Sequence, residues 1–451
     1  MNRNAFPQSF PHAFPPGFSF GVATSSYQIE GAVNEEGRGP SIWDRFAHTP
    51  GRVKLDHHGD VACDHFHRMD EDVALLDWLG VDAYRFSIAW PRIFPEGRGQ
   101  VNERGLDFYD RLVDALLERG IAPNATLYHW DLPDALPGGW LERDTVHAFA
   151  DYADAVGARL GDRVALFLTH NEPWCQAFLG YEIGMFAPGR TDLGEALLCA
   201  HHLLVSHGLA VEALRTRTRA PVGIALNFMP TEPASGKSED VEAALRMDGY
   251  FNRWFVEPVT GRGYPEDMVA LYGRDRMPEV TDKDLALMAT PIDVLGINYY
   301  ERGVIAHDST KGLLQLKKIT DTGLPRTADR EIYAPGLREV LTRMHREYGF
   351  SRLIVTENGA AFEDVVEADG AIHDHGRTEF FRAHLDELRQ ATLQGIPVES
   401  YFAWSLMDNF EWSEGYTLRY GLFHVDFATL ERRPKDSAHF FRGVTGRDRP
   451  R

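Results

Sequence analysis

Short apolar runs alternate with amphipathic stretches along the chain. The runs Phe18–Thr24, Ala83–Ile88, Ala122–Leu127, Ala165–Asn171, Val222–Asn227, Asp293–Tyr299, Leu353–Thr356 and Val398–Trp404 are apolar nearly throughout rather than alternating. That pattern predicts strands buried on both faces, as in a parallel sheet covered by helices. Between them a helical period recurs. Leu106, Tyr109, Leu112, Val113, Leu116 and Leu117 fall at three-to-four spacing with Gly120 just beyond. Val146, Phe149, Ala153, Val156 and Leu160 repeat the pattern, with Gly161 as the stop. Eight strands separated by helices, with no fixed-period repeat and no linker tract, predict one closed α/β barrel. A doubly wound open sheet is the alternative, but no Gly-rich phosphate loop follows the first strand. Residues 1–17 read as an N-terminal extension and 18–451 as the catalytic barrel. The strands are spaced for long loops, and Lys311–Thr327, polar and aperiodic, is expected on the rim after strand six.

Composition narrows the function classes. The 451 residues are 43% hydrophobic and carry a net charge of −20, which opposes binding to phosphate backbones and anionic lipids. Neither nucleic acid nor membrane is an expected partner. Cys63, Cys175 and Cys199 are too few and too scattered for a disulfide framework. Pro7, Pro11, Pro15 and Pro16 interrupt the start of the chain, so no signal peptide is expected there. No window is expected to reach the roughly 20 apolar residues of a membrane span. A soluble, cytoplasmic protein is the expectation.

Residues at the carboxyl ends of barrel strands face the barrel mouth, which is where chemistry is sought. Two glutamates occupy such ends: Glu172 in His170-Asn171-Glu172-Pro173, and Glu357 in Thr356-Glu357-Asn358-Gly359. Two carboxyls across a barrel mouth suit glycosidic-bond cleavage, one as acid and the other meeting positive charge at the anomeric carbon. A separation of about 5–5.5 Å gives retention and a wider one inversion, and at this level both remain open. Trp404, Asn409, Glu411 and Trp412 close strand eight. Indole faces beside carboxylates and amides match the apolar faces and polar rims of sugars.

With these motifs in that order, the chain resembles glycoside hydrolase family 1, the β-glucosidase family, from Phe18 to about Val425. Phe18-Ser19-Phe20-Gly21-Val22-Ala23-Thr24-Ser25-Ser26-Tyr27-Gln28-Ile29-Glu30-Gly31 is similar to the family's N-terminal signature. The resemblance implies a single (β/α)8 TIM barrel whose long βα loops form the pocket, and a retaining mechanism without cofactor or metal. Glu172 is then the acid/base and Glu357 the nucleophile. Gln28, His129, Asn171, Glu411 and Trp412 are expected to hold sugar hydroxyls, with Trp130 beside them, and Trp404 the ring face. Arg85 and Tyr300 should contact Glu357, and Asn298 the 2-hydroxyl side. Burial and the charge of Glu357 should raise the pKa of Glu172. Asp56-His57-His58-Gly59-Asp60 and the following Asp64-His65-Phe66-His67 look metal-like in composition, yet resemble the family's loop-to-helix segment, with Asp64 as an N-cap. Arg215–Arg219 reads as a solvated helix end.

Three positions depart from the family pattern. His170 replaces an apolar residue and is expected to point outward toward the helices, perturbing packing there, or hydrogen-bonding behind the site. Arg330 stands where many members carry a Trp of the aglycone site, which suits a polar or oligosaccharide leaving group or a place on the rim. Trp174 remains as an aglycone-side wall, and Tyr420 replaces a Phe near the outer hydroxyls. The implied activity is release of terminal β-D-glucosyl residues from β-glucosides and short cello-oligosaccharides. β-Galactosidase, β-fucosidase and transglycosylase actions stay open. A 6-phospho-β-glucosidase is disfavoured, since its Ser and Lys are replaced by Glu411-Trp412, and a sugar-binding barrel without chemistry would lack one of the two glutamates. A carbohydrate is the expected partner, with homo-oligomers open.

Overall fold

The computed structural model describes residues 14–446. All eight apolar runs form strands: β1 (Ser19–Ala23), β2 (Ala83–Ser87), β3 (Ala122–Tyr128), β4 (Leu166–Asn171), β5 (Val222–Phe228), β6 (Val294–Tyr299), β7 (Leu353–Asn358) and β8 (Val398–Trp404). They pair in parallel, in chain order, and β8 closes onto β1. Helices between consecutive strands cover the outside, so each strand is buried on both faces, and an uninterrupted apolar sequence is what that environment selects. The predicted helices span Glu103–Glu118 and Arg143–Leu160.

The barrel interior is filled by Leu166, Leu168, Ala225, Ile354 and Phe402. A β-carbon at Gly21 would lie 2.4 Å from the Phe402 ring, so the bulk of one strand fixes the glycine of the next. The barrel interior is thus packed with side chains, and a cavity opens at its mouth.

Three local expectations are corrected. The helix Leu193–Arg215 is long and apolar enough to cross a membrane, but 78% of its most apolar window is buried within the protein. It packs against Arg143–Leu160 on one side and Asp282–Met288 on another, so covering on several sides explains an all-round apolar sequence. Part of the Lys311–Thr327 segment is a strand, Leu316–Ile319, paired antiparallel with Gly303–His307. Its Leu316 packs on a small cluster of Ala243, Ala244 and Ile305, a long-range contact that local periodicity does not carry. Asp64 precedes the helix His65–Leu79 but has φ 55° and caps no helix N–H. Its carboxylate instead accepts from His67 Nδ1 at 2.6 Å. His170 points into the helix layer, as expected, and hydrogen-bonds there through Nε2, while its Nδ1 is buried without a partner. Its ring stacks on Phe149 at 4.5 Å, and Nε2 lies 2.9 Å from Ser206 Oγ. The basic run, as expected, follows a helix end, and Arg217 pairs with Asp154 at 2.6 Å.

Candidate active site

Both glutamates reach the mouth by the same device. The β4–β5 register is irregular between Leu168 and Asn171, and the β7–β6 register between Val355 and Glu357. Such bulges re-aim side chains at the end of a strand. Directly behind Glu357, a β-carbon at Gly359 would sit 1.9 Å from the Trp404 carbonyl oxygen, so glycine lets the ends of β7 and β8 meet. Three bulky residues at the mouth hold positive φ: Trp130 (77°), Glu172 (45°) and Trp412 (48°). Non-glycine residues rarely adopt this region, and its cost is tolerated where surrounding contacts over-determine the geometry.

A cavity of about 340 Å³ opens at this end, lined by Glu172, Glu357, His129, Trp130, Trp174, Asn298, Tyr300, Trp404, Glu411, Trp412 and Tyr420, among others. The two carboxyls are held differently. Glu357 Oε1 accepts from Arg85 Nη1 at 2.7 Å, and Oε2 accepts from Tyr300 Oη at 2.6 Å. Burial and the adjacent Glu357 push the Tyr300 phenol well above its ordinary pKa, keeping it a donor. Glu172 Oε1 accepts from Asn298 Nδ2 at 2.8 Å and Oε2 from Cys175 Sγ at 3.1 Å. Burial, then the charge of Glu357, push Glu172 up to about 7 against the pull of these two bonds and of Arg330. Relative to water, that is about 3 kcal/mol in favour of the neutral acid. One carboxyl therefore faces a permanent cation, while the other keeps its proton near neutrality. This is the split that acid-plus-nucleophile chemistry needs.

The family model for glycosyl hydrolase family 1 matches residues 10–449. The chain belongs to this family. A β-glucosidase A of Acetivibrio thermocellus is 44% identical over 450 residues, covering 98% of this chain and 99% of that one. A solved enzyme of Alicyclobacillus herbarius is 49% identical with a TM-score of 0.93, covering 96% and 98% of the two chains. A β-glucosidase of Thermotoga maritima, solved in complex with glucoimidazole, is 43% identical with a TM-score of 0.93 and the same coverage. Retention, left open by the bare residues, follows from family membership.

Within this family 1 barrel a buried network ties the expected residues together. Arg85 also donates to Thr126 Oγ1, the Thr356 carbonyl and Asn171 Oδ1, linking β2, β3, β4 and β7. Asn171 Oδ1 accepts from Asn298 as well, so its amide nitrogen faces His129 Nε2 at 3.0 Å. Burial, then Arg85, hold His129 well below its usual pKa, so the ring is neutral with its proton on Nδ1. His129 Nδ1 and Trp174 Nε1 are buried without a hydrogen-bond partner, and both residues line the cavity. Unsatisfied buried donors at a cavity wall fit hydroxyl oxygens.

Not every expected residue lines the cavity. Gln28 and Asn171 lie one layer behind it. The Gln28 amide nitrogen donates to Asn409 Oδ1, the Phe410 carbonyl and, at 3.4 Å, Glu411 Oε2, and so aims the Glu411 loop. Glu411 itself is pushed up to about 8, chiefly by burial, which Arg330 opposes. Sequence reasoning missed Cys175 and Asp329. Cys175 lies three residues after Glu172, a helical spacing that could have exposed it. Asp329 accepts from Tyr420 Oη at 2.6 Å and from Arg330 Nε at 2.8 Å, so two of the family departures meet on one carboxylate. The loop bearing Glu411 and Trp412 is anchored by Asp408, which is fully buried and bonded to Lys435 Nζ and to Arg419 Nη1, each at 2.6 Å.

Proposed function

We propose that this family 1 enzyme removes terminal non-reducing β-D-glucosyl residues from β-glucosides and short cello-oligosaccharides. The observation that carries the reading is the contrast between Glu172, which holds its proton up to about pH 7, and Glu357, paired with Arg85 in the same cavity. Glu172 gives its proton to the glycosidic oxygen while a Glu357 oxygen attacks C1, and the aglycone leaves as an alcohol. The resulting ester removes the charge of Glu357, one of the causes that raised Glu172. Glu172, left as a carboxylate by the first step and no longer opposed by that charge, takes a proton from the water that attacks C1, releasing the sugar and restoring both groups.

Sugar selectivity rests on the walls. Trp404 supplies an apolar face, while His129 and Glu411 supply polar groups at the rim. Among the described residues the one permanently charged cation lining the cavity, Arg330, is already paired with Asp329, which leaves no free cation for a 6-phosphorylated sugar. The likeness to a β-glucosidase that binds glucoimidazole supports glucose in the non-reducing site. Three free, buried cysteines fit a reducing, cytoplasmic location. A panel of nitrophenyl β-glycosides tests the reading: the glucoside is expected to lead, with the 6-phosphoglucoside poorest. Faster hydrolysis of the phosphorylated substrate would overturn it, and a leading galactoside or fucoside would move the assignment within the family.

Arg330 bears on the leaving group. Its guanidinium lies 4.7 Å above the Tyr300 ring, and 32% of its side chain is exposed at the mouth. Arg330→Trp replaces a cation with a flat apolar face. The ratio of kcat/KM for nitrophenyl glucoside over cellobiose is expected to rise about 5–10-fold, the worth of one aromatic contact. Arg330 also lowers the pKa of Glu172, so the alkaline fall of kcat/KM should move to higher pH in the variant. An unchanged substrate ratio and pH profile would place Arg330 outside the aglycone site.

A further inference from the structure

We propose that His48, His58 and Asp60 form a site for one divalent transition-metal ion of the zinc class, outside the sugar cavity. His48 ends the helix Ile42–Ala47, whereas His58 and Asp60 lie on the loop that precedes the helix His65–Leu79. One ligand atom from each residue falls within 4.8 Å of the other two. His48 Nε2 lies 3.2 Å from Asp60 Oδ2, and His58 Nδ1 lies 3.2 Å from Asp60 Oδ1. The two imidazoles stack, with centroids 4.7 Å apart and planes at 22°. Tetrahedral zinc, with bonds of about 2.0–2.2 Å, spaces its ligand atoms by about 3.4 Å. Each imidazole already faces a different oxygen of the Asp60 carboxylate, so the aspartate turns to offer one of them to the ion. The widest separation needs to close by at most about 1.4 Å, within reach of side chains that are half exposed.

One further feature orients the cluster toward an ion. His48 Nδ1 lies 2.7 Å from the Asp44 carbonyl oxygen. A carbonyl only accepts, so Nδ1 carries a proton, and Nε2 is the nitrogen left to face Asp60 Oδ2. A metal ion bound there displaces the proton that Nε2 shares with the carboxylate. A ring N–H held by a backbone carbonyl is also how proteins orient a metal-binding histidine. Two imidazoles with one carboxylate favour zinc, nickel or cobalt over calcium or magnesium.

The loop that carries the site backs the sugar cavity. The His58 carbonyl accepts from Tyr416 Oη at 2.9 Å. A β-carbon at the neighbouring Gly59 would lie 3.0 Å from the Tyr27 ring, which stacks on Trp412 at 6.1 Å and 12°. An ion joining His48 to this loop therefore braces a cavity wall against heat and takes no part in the chemistry.

The test is calorimetric titration of the tag-free, chelator-stripped full chain with zinc chloride. One ion is expected to bind, with affinity reduced at least about tenfold in His48→Ala and in His58→Ala. His147→Ala, at an exposed position on the helix Arg143–Leu160, should bind like the unaltered protein. Zinc should raise the melting temperature of the unaltered protein and of His147→Ala, and of neither other variant. Equal zinc affinity in all four proteins would overturn the site. Anomalous scattering from zinc-soaked crystals of the unaltered chain decides independently of any variant: a peak among the three side chains supports it, and peaks only elsewhere refute it.

Discussion

Glu357→Gly should lower kcat/KM for aryl β-glucosides by on the order of 10⁴-fold or more, because no other group can capture C1 from that face. Turnover should return with azide, and the product should be the α-glycosyl azide. The substitution opens space beside Arg85 and leaves its guanidinium, buried among Thr126, Thr356 and Asn171, without its carboxylate. An anion the size of azide fits that vacancy electrostatically, while Glu172 still protonates the leaving oxygen. Losing one partner of a buried ion pair costs about 3–5 kcal/mol in general. A lower melting temperature, partly restored by azide, is therefore expected alongside the kinetic loss. Product stereochemistry by NMR is the deciding measurement.

Glu172→Ala should act differently on different leaving groups. On cellobiose, whose sugar alkoxide must be protonated to depart, kcat/KM should fall by about 10²–10⁴-fold. On a dinitrophenyl glucoside, whose phenolate leaves unaided, bond cleavage should slow far less, and hydrolysis of the intermediate becomes the slow step. Azide should then give the β-glycosyl azide. The same anomer from both variants would overturn the assignment of roles. The pH profile carries a related prediction. Activity needs the protonated form of Glu172, whose pKa is raised to about 7, so kcat/KM should fall as pH rises through that value. The fall should vanish in Glu172→Ala. In Glu357→Gln the carboxyl carbon of Glu172, followed by NMR, should titrate at lower pH than in the unaltered enzyme, since the Glu357 charge is one of the two causes of the rise.

The legible part of this protein is its periodic part. Each of the eight strands was visible because burial on both faces demands an apolar run, and the long amphipathic helices because one stripe must face the barrel. Glu172 and Glu357 could be singled out among 67 acids because strand ends carry chemistry in such a barrel and a turn residue follows each. Where a segment owes its conformation to distant partners, the sequence was silent. Leu316–Ile319 becomes a strand through Gly303–His307, and Asp64 turns its carboxylate to His67 instead of capping a helix.

By itself the sequence determined the barrel, the two strand ends that carry glutamate and the aromatic loop after β8. These follow from local rules: which residues tolerate burial, which stop a strand and which present a flat apolar face. Only the tertiary structure decided what each carboxyl is. Glu357 is made an anion's place by Arg85, 272 positions away in the chain. Glu172 is made an acid by burial and by a second charge brought alongside it. Proton affinity depends on dielectric surroundings and on the nearest charges, and both are set by which strands closure brings side by side.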